Sequence, residues 1–289
     1  MSSLTENLNR TFQPNEVKNS LDAIRAKLGK SLSKEEMKLA FSCIDLTTLG
    51  SEDTQEKGRK MAEKVSLFPK QFNELPNVAA ICVYPTLVGV VRLNLKDTKV
   101  GLASVAAGFP SSMTFVEVKE LETAMAVAAG ATEIDIVISI GAFLEGNLDQ
   151  VAHEISQLKK SCGEAHLKVI LETGALKSAE NIWNASLLAM NAGADFIKTS
   201  TGKMEPAATP EAAWVMCSAI KEFYRITGKR IGFKAAGGIV ESAEALYYLA
   251  IVREILGEEW LCPQLFRIGA SRLANNLLTS IMEEKISYF

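Results

Sequence analysis

The sequence predicts an α/β protein, a (β/α)8 TIM barrel with an N-terminal helical extension. Three observations carry that prediction. From about residue 40 onward, eight short runs rich in β-branched residues alternate with longer stretches whose apolar positions recur at helical spacing. Four of the helical stretches end at a glycine suited to a helix C-terminus. Two junctions, "AVAAGATEIDI" and "AMNAGADFIK", also echo one another, as a repeated αβ unit would.

Taken in order, residues 1–40 fall outside the repeat and read as two short helices, "PNEVKNSLDAIRAKLG" and "SKEEMKLAF". Ser33 and Glu36 have the spacing of a capping box, and the pair of helices is expected to close the N-terminal end of the barrel. Residues 41–289 form the barrel itself. Its strands read "FSCIDLT", "NVAAICVY", "KVGLASVA", "EIDIVIS", "LKVILET", "DFIKTS", "RIGFKAA" and "LFRIGA". Between them lie amphipathic stretches such as "TFVEVKELETAMAVAAG", "LDQVAHEISQLKKSCG", "SAENIWNASLLAMNAG" and "TPEAAWVMCSAIKEFYRITG". Strand–helix alternation implies parallel strands joined by right-handed crossovers. Eight units in succession favour closure over an open sheet, and no GxGxxG turn follows the first strand.

Composition narrows the function. The 289 residues carry a formal net charge of -3, which gives no argument for nucleic acid or an anionic membrane as partner. The longest apolar stretch, "VAAICVYPTLVGVVRL", is broken by Pro85 and Gly89 and is too short to span a bilayer. The opening "MSSLTENLNR" has no apolar signal region, so a soluble cytoplasmic protein is expected. The five cysteines are scattered without a CxxC pair and read as free thiols. Neither His153 nor His166 has a partner at metal-ligand spacing, which argues against a zinc site.

Strand residues of a parallel barrel should be nearly all apolar, so charges within strands are the informative exceptions. This chain has Asp45, Asp135, Lys168, Lys198, Lys234 and Arg267 in such positions. In "EIDIVIS", Ile134, Ile136 and Ile138 share one face, which leaves Glu133 and Asp135 pointing into the barrel. The same parity groups Lys168 with Ile170 and Glu172. Lys198 and Lys234 stand on neighbouring strands, roughly 4.8 Å apart. At about 4 Å and an effective dielectric of about 20, two ammonium groups repel by roughly 4 kcal/mol. Such repulsion, with burial, moves one lysine toward neutrality, and the neutral amine is the form that attacks carbonyls. A competing reading is a structural network in which Asp135, Glu172 or Asp45 neutralises both lysines.

The loops after the last three strands read "STGK" (200–203), "AAGGI" (235–239) and "GASR" (269–272). Small residues let backbone N–H groups approach an anion, and the helices that follow favour negative charge. Late-strand loops of barrels commonly bind phosphate, and Lys203 or Arg272 would add a cation. "TGK" is not a P-loop here, because the upstream glycine is missing.

"DFIKTSTGK", "GFKAAGGI", "KVILETG", "EIDIVIS" and "IDLTTL", in this chain from about residue 41 to the C-terminus, resemble the 2-deoxyribose-5-phosphate aldolase family. The resemblance implies a metal-independent class I aldolase, without a cofactor, that cleaves 2-deoxy-D-ribose 5-phosphate to D-glyceraldehyde 3-phosphate and acetaldehyde. It implies that Lys198 forms the Schiff base, that Lys234 perturbs it and relays protons, and that Asp135 acts with Lys234 through water. Lys168 then orders the carboxylate. Cys82 and Asp45 match active-site positions, and Thr201, Gly202, Lys203, Gly237, Gly238 and Ser271 match the substrate and phosphate cradle. Three positions depart from the family pattern. Arg272 replaces a second small hydroxyl residue, Val240 stands where a charge is common, and Tyr288 is the penultimate residue of a short tail. A different Schiff-base barrel acting on ketose phosphates, and a non-catalytic sugar-phosphate binder, are the competing functions. The stretch "YYLAIVREIL" fits a homodimer interface or, equally, a core-facing helix.

Overall fold

A computed structural model describes residues 10–28 and 33–289. Eight parallel strands close into a barrel in sequence order. They are β1 (Ile44–Thr47), β2 (Ala80–Val83), β3 (Gly101–Val105), β4 (Glu133–Val137), β5 (His166–Ile170), β6 (Phe196–Lys198), β7 (Gly232–Ala236) and β8 (Phe266–Ala270). Ile44, Asp45 and Leu46 of β1 pair with Ile268, Gly269 and Ala270 of β8, so the sheet has no open edge.

The helices that follow the strands form the outer ring: α3 (Gln55–Gln71), α4 (Pro85–Asn94), α5 (Val116–Ala128), α7 (Leu148–Ser161), α9 (Ala179–Asn191), α10 (Pro210–Thr227), α11 (Ser242–Leu256) and α12 (Arg272–Met282). Local chemistry starts them. Thr54, Asn147, Ser178 and Thr209 each accept a hydrogen bond from an N3 amide of the helix they precede. Pro85 occupies the first turn of α4 and splits the long apolar run into strand and helix. Two further single-turn helices, α6 (Ile140–Leu144) and α8 (Thr173–Leu176), lie in the loops after β4 and β5. They are too short to show a period in the sequence. No helix among the described residues is long and apolar enough to cross a membrane.

Before the barrel, α1 (Glu16–Lys27) packs against α10 and α11, and α2 (Lys34–Ser42) packs against α11 and α12. Tyr247 Oη donates to Leu21 O at 3.1 Å and Arg253 reaches Glu36 at 2.7 Å. The Ser33–Glu36 capping box is therefore half made. Ser33 Oγ accepts from the Glu36 amide, but the Glu36 carboxylate turns to Arg253. The remainder of the expected extension, residues 1–9 and 29–32, lies outside the described residues. Tyr247, Tyr248, Leu249, Ile251 and Val252 are buried, so these residues of "YYLAIVREIL" face the core. The main apolar core lies between strands and helices, where Ile134, Ile136, Val169 and Ile197 belong to it.

Candidate active site

The strand register sets the charged residues side by side. Asp135 pairs with Lys168, Lys198 with Lys234, and Lys234 with Arg267. Their side chains meet inside the barrel with those of Asp45 and Glu133, and all seven residues are buried. Asp135 is the centre. Its Oδ2 accepts from both Lys198 Nζ and Lys234 Nζ at 2.8 Å, and its Oδ1 accepts from Lys168 Nζ at 3.2 Å. Asp45 takes Lys234 on Oδ2 and Arg267 on Oδ1. Glu133 takes both Arg267 and Lys168. Two glycines make room for this packing. A Cβ on Gly269 would approach Lys234 Cε to 3.0 Å, and one on Gly101 would approach Glu133 Oε1 to 2.8 Å. Thr199, directly after Lys198, locks the ends of β6 and β7 together: its Oγ1 donates to Ala236 O and accepts from Ala236 N.

The cluster holds four cationic side chains (Lys168, Lys198, Lys234, Arg267) and three carboxylates (Asp45, Glu133, Asp135). An unbalanced buried charge is costly, so the cheapest state releases one proton from one cation. Lys168, Lys234 and Arg267 each contact two or more carboxylates, whereas Lys198 contacts Asp135 alone. The titration follows that difference. Burial lowers the Lys198 pKa, Asp135 opposes, Lys234 pushes it down further, and the net direction is down. Burial also pulls on Lys234, but Asp135 and Asp45 outweigh it and hold the group well above its ordinary range. Lys168 is likewise raised by Asp135, Glu133 and Asp45 against its burial. Burial alone would raise Asp135, yet Lys168, Lys198 and Lys234 keep its carboxyl far below the usual carboxylate range. The two lysines thus shift in opposite directions, Lys198 down toward the neutral amine and Lys234 up.

Above this layer the barrel opens into a cavity of about 420 Å3 at the C-terminal ends of the strands. Lys198 lines it, while Lys234, Asp135 and Asp45 stay beneath with no exposed surface. Gly202, Lys203, Gly237, Gly238, Ser271 and Arg272 form its opposite wall, so the three small-residue loops converge on one space. Gly202 and Gly237 face each other closely, and a Cβ on Gly237 would meet Gly202 Cα at 3.1 Å and Ala207 Cβ at 2.6 Å. Gly238 has a φ of +78° with nothing within 4 Å of its Cβ position, so its backbone is open to a ligand. Lys203 Nζ donates to Leu49 O at 2.6 Å, which braces the loop after β6 against the loop after β1.

Several expectations need adjusting. Asp45 does not face the cavity; it holds Lys234 and Arg267 below it. Cys82 is fully buried, with burial raising its thiol pKa, and belongs to a small apolar group with Leu49, Ala103 and Val105. Glu172 neutralises neither lysine. It accepts from the Thr201 hydroxyl and amide instead, and so shapes the cradle loop. Tyr288 lies away from the lysines: its hydroxyl donates to Lys64 O at 2.7 Å and its ring packs on Phe68 and Phe72. Glu133 and Gly269 are the members that sequence reasoning left without a role. Parity had already turned Glu133 inward, but its partner Arg267 comes from a distant strand. Among the described residues, no group of three or more His, Cys, Asp or Glu side chains has the arrangement of a metal site.

Comparison with known proteins identifies what the chain is similar to. A deoxyribose-phosphate aldolase from Homo sapiens is 45% identical over 249 residues, spanning 82% of this chain and 78% of that protein. The enzyme of the same name from Mus musculus is 45% identical over 249 residues, with the same shares covered. Among solved structures, the tetrameric deoxyribose phosphate aldolase from Aeropyrum pernix superposes with a TM-score of 0.68 at 25% identity, over 93% of this chain and 98% of that one. The sequence model of DeoC/LacD family aldolases matches residues 39–253, the span that carries β1 to β7 with the Asp45, Asp135, Lys168, Lys198 and Lys234 cluster. The chain therefore belongs to the DeoC/LacD family of aldolases.

Proposed function

We propose that this chain cleaves 2-deoxy-D-ribose 5-phosphate reversibly to D-glyceraldehyde 3-phosphate and acetaldehyde, with Lys198 as the Schiff-base nucleophile. One observation carries the assignment of the nucleophile. Lys198 is the cation of the cluster that touches a single carboxylate, has a lowered pKa and lines the cavity.

In this reading, the neutral Lys198 amine attacks the C1 aldehyde, the carbinolamine oxygen takes up a proton from solvent, and loss of water leaves an iminium cation beside Asp135. A base takes the C3 hydroxyl proton, the C2–C3 bond breaks, and its electron pair moves into the iminium to give a neutral enamine. The aldehyde carrying the phosphate leaves. Reprotonation of C2 and hydrolysis then release acetaldehyde and regenerate the amine. Asp135 Oδ2, shared between Lys198 and Lys234, is placed to pass these protons through a water. Lys168 and Asp45 position that pair from below. The phosphate is assigned to the loop amides around Gly202, Gly237 and Gly238, with Ser271, Lys203 and Arg272 at the rim. The setting is taken to be the cytoplasm, where thiols such as Cys82 and Cys162 stay reduced.

Borohydride trapping with deoxyribose 5-phosphate or acetaldehyde, followed by peptide mass mapping, tests the proposal. A reduced adduct on Lys198 supports it, and one on Lys234 would exchange the two roles. Phosphate-ligand binding without any adduct would favour a non-catalytic binder. Lys198→Ala is expected to abolish both adduct and cleavage while the circular dichroism stays unchanged, because the three cations and three carboxylates that remain are balanced. Turnover retained in that variant would refute the mechanism.

A further inference from the structure

Glu172 stands two residues beyond β5 with φ 55° and ψ 62°, in the left-handed region that favours glycine, so its backbone is strained. Its side chain turns to the loop after β6, and both carboxylate oxygens go to one residue there. Oε2 accepts from the Thr201 hydroxyl at 2.5 Å, and Oε1 accepts from the Thr201 amide at 3.2 Å. Among the described residues no cation pairs with this carboxylate, although it is only 2% exposed. Lys119, a buried lysine of the neighbouring cavity that Glu172 also lines, is held by Glu154 and Ser139 instead.

This contact fixes a direction as well as a position. An ionised carboxylate only accepts, so the single hydroxyl proton of Thr201 is spent on Glu172. The Lys203 amide donates to Thr201 Oγ1 at 3.0 Å and occupies one lone pair of that oxygen. One lone pair remains, on a side chain that lines the cavity beside Lys198. We propose that Glu172 is a positioning residue for substrate recognition. It fixes Thr201 Oγ1 as a hydrogen-bond acceptor and thereby selects a substrate with a hydroxyl donor between the reacting carbon and the phosphate. The proposal rests on the deoxyribose-phosphate reading above and deepens it. Thr201 lies in the chain between Lys198, which takes C1, and the glycine cradle assigned to the phosphate, so the C3 and C4 hydroxyls pass it. The C3 oxygen is a hydroxyl in the sugar and a carbonyl in the released aldehyde, which a fixed acceptor would oppose. The C4 oxygen is a hydroxyl throughout, and it is the donor assigned to Thr201.

The test runs the reaction toward synthesis, with acetaldehyde as donor and two acceptor aldehydes. One is D-glyceraldehyde 3-phosphate, whose 2-hydroxyl becomes that of C4, and the other carries fluorine there in matching configuration. Fluorine is close in size to a hydroxyl and cannot donate. Intrinsic reactivity cancels when the ratio of kcat/KM for the two acceptors is compared between variants. Glu172→Gln keeps an oxygen for the Thr201 amide, turns an N–H toward Thr201 Oγ1 and releases the Thr201 proton into the cavity. It should move the ratio at least about tenfold toward the fluorinated acceptor, the scale of a hydrogen bond to a buried group. Thr201→Val should move the ratio in the same direction, Thr201→Ser should hold it, and adding Glu172→Gln to Thr201→Val should change it no further. Absence of a trapped acetaldehyde adduct on wild-type Lys198 would defeat the aldolase reading itself. With that adduct present, a Glu172→Gln enzyme slowed equally on both acceptors would overturn the proposal and leave Glu172 a brace for the loop. So would a ratio that Glu172→Gln still moves once Thr201 is valine. Where Glu172→Gln does not fold, Thr201→Val decides, and a ratio unchanged from wild type overturns the proposal.

Discussion

Replacing Lys234 by methionine keeps most of the volume of a fully buried side chain and removes its charge. The cluster then holds three cations, Lys168, Lys198 and Arg267, against three carboxylates, so a protonated Lys198 leaves it neutral. Lys198 and Lys234 both lie 2.8 Å from one oxygen, Asp135 Oδ2. Their nitrogens are therefore at most about 5.6 Å apart, and at an effective dielectric of about 20 their repulsion is at least about 3 kcal/mol. That is roughly a hundredfold in the equilibrium between protonated and neutral amine. Loss of Lys234 also frees Asp135 Oδ2 for Lys198, which acts in the same direction. The sign is fixed: removing a cation raises the Lys198 pKa, so the neutral amine appears only at higher pH. The assay is the initial rate of borohydride trapping of acetaldehyde on Lys198 as a function of pH, which reads imine formation apart from later proton transfers. The alkaline rise of that rate should move to higher pH in Lys234→Met, with roughly a hundredfold loss on the acidic side. A rate lowered equally at every pH would refute the electrostatic coupling and leave Lys234 only a proton-relay role.

Three further outcomes follow from the same geometry. Arg272→Ser, which removes a cation from the cradle wall, should raise KM for deoxyribose 5-phosphate about tenfold, the scale of one charge-assisted contact, and leave 2-deoxyribose unaffected. Steady-state kinetics on the two sugars decide it. Gly269→Ala places a Cβ within 3.0 Å of Lys234 Cε and 2.9 Å of Ala236 Cβ, so Lys234 must shift against its carboxylates. Displacements of this order cost up to about a hundredfold, and kcat should fall more than KM. Finally, Asp45, Glu133 and Asp135 all have pKa values lowered in the fold by neighbouring cations, despite burial. Their stabilisation is complete above the ordinary carboxylate range near pH 4 and is lost as pH falls below it. Denaturant unfolding should show stability declining below about pH 4, and a stability that stays level to pH 2 would contradict the ion-pair account.

Much of this was legible in the sequence because a strand has a period of two and a parallel barrel has two buried faces. Alternation along "EIDIVIS" was enough to turn Asp135 inward, and the strand spacing was enough to bring Lys198 beside Lys234. Height within the barrel was not legible. Asp45 reads as a substrate-binding residue from its motif, yet it sits below the cavity, because strand tilt and stagger decide which inward residue reaches the mouth. Nor was the choice of partner. Arg267 reaches Glu133 across the barrel and Asp45 on the adjoining strand β1, at sequence separations of 134 and 222 residues. The second half of the capping box at Ser33 was lost for the same reason, since the Glu36 carboxylate found Arg253 from a remote helix. Gly269 reads as the first residue of a phosphate loop, while its place on β8 gives Lys234 the space of a missing Cβ.

With Lys198 as the proposed nucleophile, the count of four cations against three carboxylates gives the buried network a catalytic use beyond stability. A balanced network would hold Lys198 as a protonated ion pair, inert toward a carbonyl. With one cation in excess, the cluster reaches neutrality when one cation loses its proton, and the downward shift of Lys198 favours that group. Condensation with the aldehyde then restores the excess, because the iminium carries the same charge as the ammonium it resembles. The next step, in which the C2–C3 electron pair flows into the iminium, yields a neutral enamine and removes the excess again. The same imbalance therefore favours the free amine before attack and the enamine after cleavage, and it disfavours the charged state between them. Lys168, Lys234 and Arg267, each fixed by two or more carboxylates, maintain that imbalance without moving. Preorganised charge of this kind costs no reorganisation at the moment of reaction. Its origin lies in the fold, which supplies those three cations from β5, β7 and β8 at fixed register.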